Sequence, residues 1–296
     1  MLFKSFTGLT VQEFDDVYNK EIAKKYNKYE LHRLSSKRKD VRERKSGAGR
    51  PFKLDVKNRF LMLLVYYRLY ITYTLAGFLF DLDQSNICRD IQKIESLVRQ
   101  CIPIPQKIYN ITKRLKTLEE VERYFPGFMA FIDCTEQQIP RPADNKRKKA
   151  YYSGKKKRLA VKNQIMANNR SLIIHKTATK KGGRHDYDIY KENHPTTPKE
   201  ILNVFDLGYL GVEKDYPEQL SALPYKKKRN LLELSKVQKD YNKNHSKKRI
   251  VIEHTICHLK KYKILSDIFR NKLRKYNKVS DIVSGLVNYR IMNQYR

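Results

Sequence analysis

Two carboxylates stand out because of what precedes them. Asp133 closes the apolar run FMAFI (128–132), and Asp206 closes the run ILNVF (201–205). Both runs read as buried strands, so each acid is expected to leave a sheet edge as a carboxylate near the surface. An ordinary surface carboxylate needs no strand behind it. A scaffold that must hold two divalent ions about 3.5–4 Å apart does. Carboxylates without His or Cys partners favour hard Mg²⁺ or Mn²⁺ over zinc, and cations there let a phosphate approach an otherwise repellent cluster. Mg²⁺ also keeps bound waters, one of which can serve as a nucleophile on phosphorus.

A third acid, Glu253, lies in the run HSKKRIVIEHTICHLKKYKI, which reads as a helix. Arg249, Glu253 and Lys260 are spaced so that they share one helical face, while Ile252, Ile256 and Leu259 supply an apolar side to pack on a sheet. That face could present a metal ligand between two phosphate-seeking cations. The spacing fits equally an Arg–Glu pair on a solvated helix, worth only about 0.3–0.5 kcal/mol and very common. Spacing alone favours the solvated pair.

Basic segments surround these acids. Between Arg141 and Lys162 there are ten Lys or Arg and one acid, Asp144, with Tyr151, Tyr152 and Gly154 interleaved. A solubilising loop normally mixes its signs, so Lys155, Lys156 and Lys157 are candidates for contact with a nucleic-acid backbone. Lys226-Lys227-Lys228-Arg229 invites the same reading. His185 and Asp186 are second-tier candidates beside the acids, equally readable as a capped helix start. His254, Cys257 and His258 do not make the HExxH pattern, because Thr255 stands where its Glu belongs. Gly47 and Gly49 are followed by no Walker-type Gly-Lys-Ser/Thr, so no ATP dependence is expected.

The elements that must position these groups fall into two kinds. Residues 9–34 show helical spacing behind a Thr10/Glu13 cap, and the basic stretch LSSKRKDVRERKSGAGRP (34–51) reads as a linker or an arm that orders on DNA. Residues 54–70, 72–80 and 86–100 are expected to be three helices, with Asp83-Gln84-Ser85 as turn and cap. A short helix, a tight turn and a longer polar-faced helix make a helix-turn-helix, whose second helix enters the major groove. Asn86, Arg89, Asp90, Lys93 and Arg99 would face outward; an ordinary trihelical packing module is the plainer alternative. From Gly127 onward the expected order is strand, strand, strand, helix, strand, irregular Lys-rich insert (212–245), helix, helix. Acids at two strand ends then suit a mixed α/β sheet with its site at the strand termini.

Composition sets the outer bounds. Lys and Arg number 63 against 31 Asp and Glu, a net charge of +32 over 296 residues. A charge that large repels itself, and a polyanionic partner is its natural reason. A ribosomal or membrane-surface protein would share the charge, although the longest apolar run, Phe60–Tyr67, is far short of a membrane span. The four cysteines have no paired metal-ligand spacing and read as reduced thiols. The opening MLFKSFTGL lacks a signal pattern, so a cytoplasmic, nucleoid-associated protein of a bacterium is expected.

Five segments, in order, resemble the IS5-type insertion-sequence transposases and their Harbinger-like relatives. They are IDCTEQQIPRP, YYSGKKKRLAVKNQ, GGRHDYDIYKE, VFDLGYLG and RIVIEHTICHLKKYKIL, together covering roughly residues 127–270. The last contains an Arg four residues before its Glu and a Lys seven after it. Related signatures often carry a Tyr three residues before that Arg, where this chain has Ser246.

The resemblance implies an RNase-H-like catalytic domain with a triad of Asp133, Asp206 and Glu253 holding Mg²⁺ or Mn²⁺, two ions in all. It also implies double-stranded DNA, transposon ends and target, as partner and a homo-oligomer on that DNA. The resulting division is an N-terminal helix and linker (1–45), an all-helical helix-turn-helix region (46–115) and an α/β catalytic domain (120–296), with residues 1 to about 115 expected to bind end DNA by themselves. A domesticated or decayed copy acting as a nuclease or DNA-binding protein is the alternative. A basic helix-turn-helix regulator with an unrelated partner domain leaves the placed acids unexplained.

Overall fold

The computed structural model describes residues 2–35, 52–227 and 233–294; most of the basic 34–51 stretch, with Lys228 and Arg229, lies outside the described residues. Helices α1 (Leu2–Thr7) and α2 (Val11–Val17) lead through a π-helical turn at Tyr18–Ile22 into α3 (Ala23–Ser35). Thr10 and Glu13 close the expected capping box on α2.

Three helices follow: α4 (Val56–Leu69), α5 (Tyr73–Phe80) and α6 (Gln84–Cys101). Each begins on a side chain that accepts a backbone N–H, from Asp55, Thr72 and Asp83 respectively. The α5–α6 turn is tight enough that a Cβ on Gly77 would collide with the Leu82 carbonyl. Ile87, Ile91, Ile94 and Val98 are buried, so α6 packs on the side its periodicity predicts.

Phase within α6 corrects one expectation about its outward face. Asp90 is buried and lies 3.8 Å from the guanidinium of Arg59, itself 1% exposed. Arg99 is exposed, and its guanidinium also pairs with Asp281 at 2.7 Å. Asn86 and Arg89 do face solvent and bond to each other at 3.2 Å. Lys93 is half-buried, its ammonium over the Phe52 ring.

Short helices α7 (Pro105–Thr112) and α8 (Leu118–Tyr124) lead into the sheet. Its strands are β1 (Met129–Gln138), β2 (Tyr152–Ser153), β3 (Arg158–Asn168), β4 (Ile173–Lys176), β5 (Lys180–Lys181), β6 (Leu202–Val204) and β7 (Ser221–Ala222). The order β2-β3-β1-β6-β7 has β3 antiparallel to β1, β4 antiparallel to β3, and β6 and β7 parallel to β1. Three antiparallel strands followed by parallel ones are the expected RNase-H-like, mixed arrangement. Helices α9 (Asn145–Tyr151), α10 (Asp186–Glu192) and α11 (Val212–Asp215) lie in the connections; α12 (Lys236–Lys260) and α13 (Tyr276–Gln294) close the chain.

Two boundaries differ from expectation. Strand β1 does not stop at Asp133 but runs to Gln138, because β3 pairs with it along nearly its whole length. The irregular 212–245 stretch contains α11 and β7, and α12 starts at Lys236 behind a Ser235/Gln238 capping box. Its polar first turns carry little core pattern, which hides them from a periodicity reading.

Candidate active site

Strands β1 and β6 pair in parallel from Met129↔Leu202 to Phe131↔Val204. Asp133 lies two residues past the last paired residue of β1 and Asp206 two past that of β6, and Asp206 is near enough to raise the pKa of Asp133. Strand β6 has already ended there, and Asp206 caps a 3₁₀ turn (Leu207–Tyr209), accepting the Gly208 N–H at 2.8 Å. Gly208 sits close under the acids: a Cβ there would lie 2.9 Å from Asp206 Oδ1 and 3.7 Å from Asp186 Oδ2, so the Asp206 carboxylate would have to give way. The carboxylate of Asp186 is thus drawn beside that of Asp206.

Helix α12 crosses these strand ends. His245 is buried against the Ala222 carbonyl of β7 at 3.2 Å, and one turn later Arg249 Nη2 donates to Asp133 Oδ2 at 3.0 Å. Ile252, Thr255 and Leu259 continue the buried stripe. Glu253 stands one turn beyond Arg249, exposed at the border of that stripe, and among the described residues its carboxylate has no hydrogen-bond or ion-pair partner. The structure places Asp206 and Asp186 near enough to Asp133 to act on its charge, and Glu253 is not among the groups that do so. Among the described residues no three His, Cys, Asp or Glu side chains are gathered closely enough to hold a metal ion.

The donor set nevertheless fits a hard divalent ion. Its atoms are carboxylate oxygens, and burial pushes Asp133 up to about 6, with Arg249 opposing and Asp206 and Asp186 adding to the rise. A buried carboxylate group short of positive charge is what a Mg²⁺ or Mn²⁺ ion relieves.

Lys260 does not behave as a phosphate clamp in this structure. Its ammonium donates to the carbonyls of Glu136 at 2.7 Å and Leu265 at 2.6 Å. Burial pulls its pKa down to about 8. The α12 face expected from spacing exists, but its far end turns inward and ties the helix to β1. Lys155, Lys156 and Lys157 are exposed in the β2–β3 turn, as expected of backbone contacts. His185 is exposed and precedes α10 as its cap residue without a side-chain cap bond.

Several residues that hold the site have no marker in the local sequence. Lys162, opposite Glu136 on β3, is buried and pairs with Asp186 at 2.8 Å and Glu136 at 3.4 Å. Tyr209 is fully buried; its hydroxyl accepts from Gln164 Nε2 at 2.9 Å and lies 3.5 Å from Cys134 Sγ, fastening the Asp206 turn to β3 and β1. A lysine inside the otherwise buried strand LAVKNQIMA was the one available signal, since such a charge must find partners.

A mixed sheet with one acid on β1 and another just past the end of β6, a helix bonded to the first through Arg249, and a helical region ahead of them suit a nucleic-acid-cutting enzyme of the transposase kind. Residues 132–288 match the family of DDE superfamily endonucleases, and residues 52–104 match the helix-turn-helix of DDE superfamily endonucleases. A probable transposase for insertion sequence element IS702, from Microchaete diplosiphon, is 31% identical over 254 residues, 85% of this chain and 86% of that protein. No solved structure matches significantly. The chain belongs to the insertion-sequence transposases of the DDE endonuclease superfamily, metal-dependent enzymes that cut DNA. Among the described residues no helix is long and apolar enough to cross a membrane.

Proposed function

We propose that this transposase cuts the ends of its own element and joins the released 3′-hydroxyl to target DNA, using Asp133, Asp206 and Glu253 as ligands for two Mg²⁺ or Mn²⁺ ions. What supports this reading is that Asp133, bonded to Arg249 of α12, has Asp206 near enough across the β1–β6 pair to raise its pKa. Ions bound there supply Lewis acidity toward a phosphoryl oxygen and lower the pKa of a water. The chain's own groups do the rest. Asp133 within β1 and Asp206 just past the end of β6 fix the site on the sheet, and Glu253 completes it from α12. Arg249 exchanges its bond to Asp133 for a DNA phosphate, acting as a fixed cation because a guanidinium does not release its proton. No Tyr or Ser nucleophile is required. The decayed-copy alternative is not favoured, since the match to a transposase runs nearly end to end.

We further assign end recognition to α6 through Asn86 and Arg89, with Lys93 beside them, and backbone contact to Lys155, Lys156 and Lys157. Two ends must be brought together, so the active form is a homo-oligomer on DNA, working in the cytoplasm at the nucleoid. The triad is tested by Asp133→Asn, Asp206→Asn and Glu253→Gln. Each is expected to abolish Mg²⁺-dependent cleavage of end DNA while the gel-shifted fraction stays intact. An Asp133→Asn protein that is folded, DNA-bound and cuts at the wild-type rate sinks the assignment.

A further inference from the structure

Beyond the acidic centre, a cavity of about 670 Å³ opens between the end of β1, helix α9 and the β2–β3 turn. Its size lies within the range of about 300–1,000 Å³ that encloses a small molecule. Its chemistry is divided. Ile139, Leu159 and Ile268 make an apolar floor beside the ring of Tyr152, and Ile268 and Tyr152 are left 46% and 48% exposed. Around that floor stand Arg141, Lys148, Lys149, Lys157 and Arg158, and no carboxylate lines the cavity. Arg158 Nε is buried without a hydrogen-bond partner, a donor waiting for an acceptor. Lys157 takes a left-handed backbone (φ 49°), uncommon for a non-glycine residue, in the turn between β2 and β3.

A track for phosphates alone needs cations but no apolar floor. A floor with an aromatic wall inside a ring of cations matches a nucleotide taken out of its stack, with a flat apolar base and a phosphate on either side. The cavity is also within reach of the same DNA. From Asp133 to Ile139 the chain advances roughly 20 Å at about 3.3 Å per residue, which equals about six nucleotides at about 3.4 Å of rise each.

We propose that this cavity receives a single nucleobase extruded from bound duplex DNA, stacked on Tyr152, with its flanking phosphates held by Lys148, Lys149 and Lys157. The proposal rests on the reading of this chain as a DNA-cutting transposase, but its test requires no cutting. The full chain, in EDTA, is titrated by fluorescence anisotropy into three duplexes of one sequence: fully paired, carrying one bulged thymidine, and carrying one bulged abasic residue. The two bulged duplexes have the same charge and a similar bend, and the bulge supplies the unstacking in advance.

Wild type is expected to bind the bulged thymidine at least fivefold more tightly than the bulged abasic site. Tyr152→Ala should remove that difference and leave abasic affinity unchanged, whereas Tyr152→Phe should keep it. Ile268→Asn gives the same reading should Tyr152→Ala lose its fold by circular dichroism. Equal wild-type affinity for the two bulged duplexes overturns the proposal. So does a base preference that survives Tyr152→Ala, or one confined to single-stranded oligonucleotides. If binding follows expectation while the triad substitutions leave cleavage untouched, the catalytic assignment fails and the pocket stands.

Discussion

Asp133 keeps its charge at a cost to the fold. Its ordinary pKa is near 3.9, and burial lifts it to about 6 despite Arg249. The folded state therefore holds this proton more tightly than the unfolded chain does. That contribution to stability is fully present below about 3.9 and is lost as pH rises through about 6. Asp133→Asn imitates the protonated form, so in EDTA at neutral pH it is expected to be more stable by on the order of 2 kcal/mol. Thermal melts at several pH values check this: the gain should shrink toward pH 4, and a variant that melts below wild type at neutral pH shows that the Arg249 pair outweighs burial. The Asp133 and Asp206 positions were legible because apolar strands lead into them. Lys162 and Tyr209 were not, since Asp186 and Gln164, their partners, lie 24 and 45 residues away in sequence.

At the scale of elements, α12 shows what spacing can and cannot reveal. The Arg249, Glu253, Lys260 pattern located the helix and its face, yet Lys260 points to carbonyls that no local pattern announces. Lys260→Ala is accordingly expected to lower stability, by roughly 1–3 kcal/mol for carbonyls left unpaired, while the salt dependence of DNA binding stays as it was. Replacing Lys155 and Lys156 with Ala should do the reverse, leaving stability alone and reducing the slope of log affinity against log salt by about one for each phosphate no longer neutralised. Anisotropy titrations across a salt series separate the two; an unchanged slope in the double lysine variant would remove the β2–β3 turn from the DNA path. Helix α6 carries a similar lesson. Its buried isoleucines were readable from period, but Asp90 lies buried 3.8 Å from the Arg59 guanidinium on α4, 31 positions earlier in sequence.

For the whole molecule, composition foretold a polyanionic partner, and the order of motifs foretold a helical region ahead of a mixed sheet. What neither could convey is how closely the two are joined. Tyr70 accepts from the backbone of Arg270 at 2.6 Å, and Asn288 on α13 bonds to the carbonyls of Pro103 and Ile173. These bonds close only when the ends of the chain meet, so they leave no local trace. They also bear on whether residues 46–115 can act alone.

Asp281 on α13 is the sharpest place to ask. One carboxylate oxygen accepts from Arg99 of α6 at 2.7 Å, and the other meets the ammonium of Lys176 on β4 at 3.0 Å. The two cations differ in burial: the Arg99 side chain is 45% exposed and that of Lys176 only 4%. Arg99→Ala removes a solvated ion pair and should cost at most about 1 kcal/mol. Asp281→Asn leaves Lys176 charged and unpaired in the interior, where the cost is about 3–5 kcal/mol. The chain has 21 Tyr and no Trp, so tyrosine fluorescence in urea reports on the whole molecule. If the helical region and the sheet fold as one unit, Asp281→Asn should move a single transition to lower urea with its slope unchanged. Replacing the pair together, Lys176→Met with Asp281→Leu, should recover most of the stability, because the penalty lies in the orphaned charge rather than in the missing attraction. Two separated transitions in Asp281→Asn, with the helical region melting alone, would instead establish residues 46–115 as an independent DNA-binding domain.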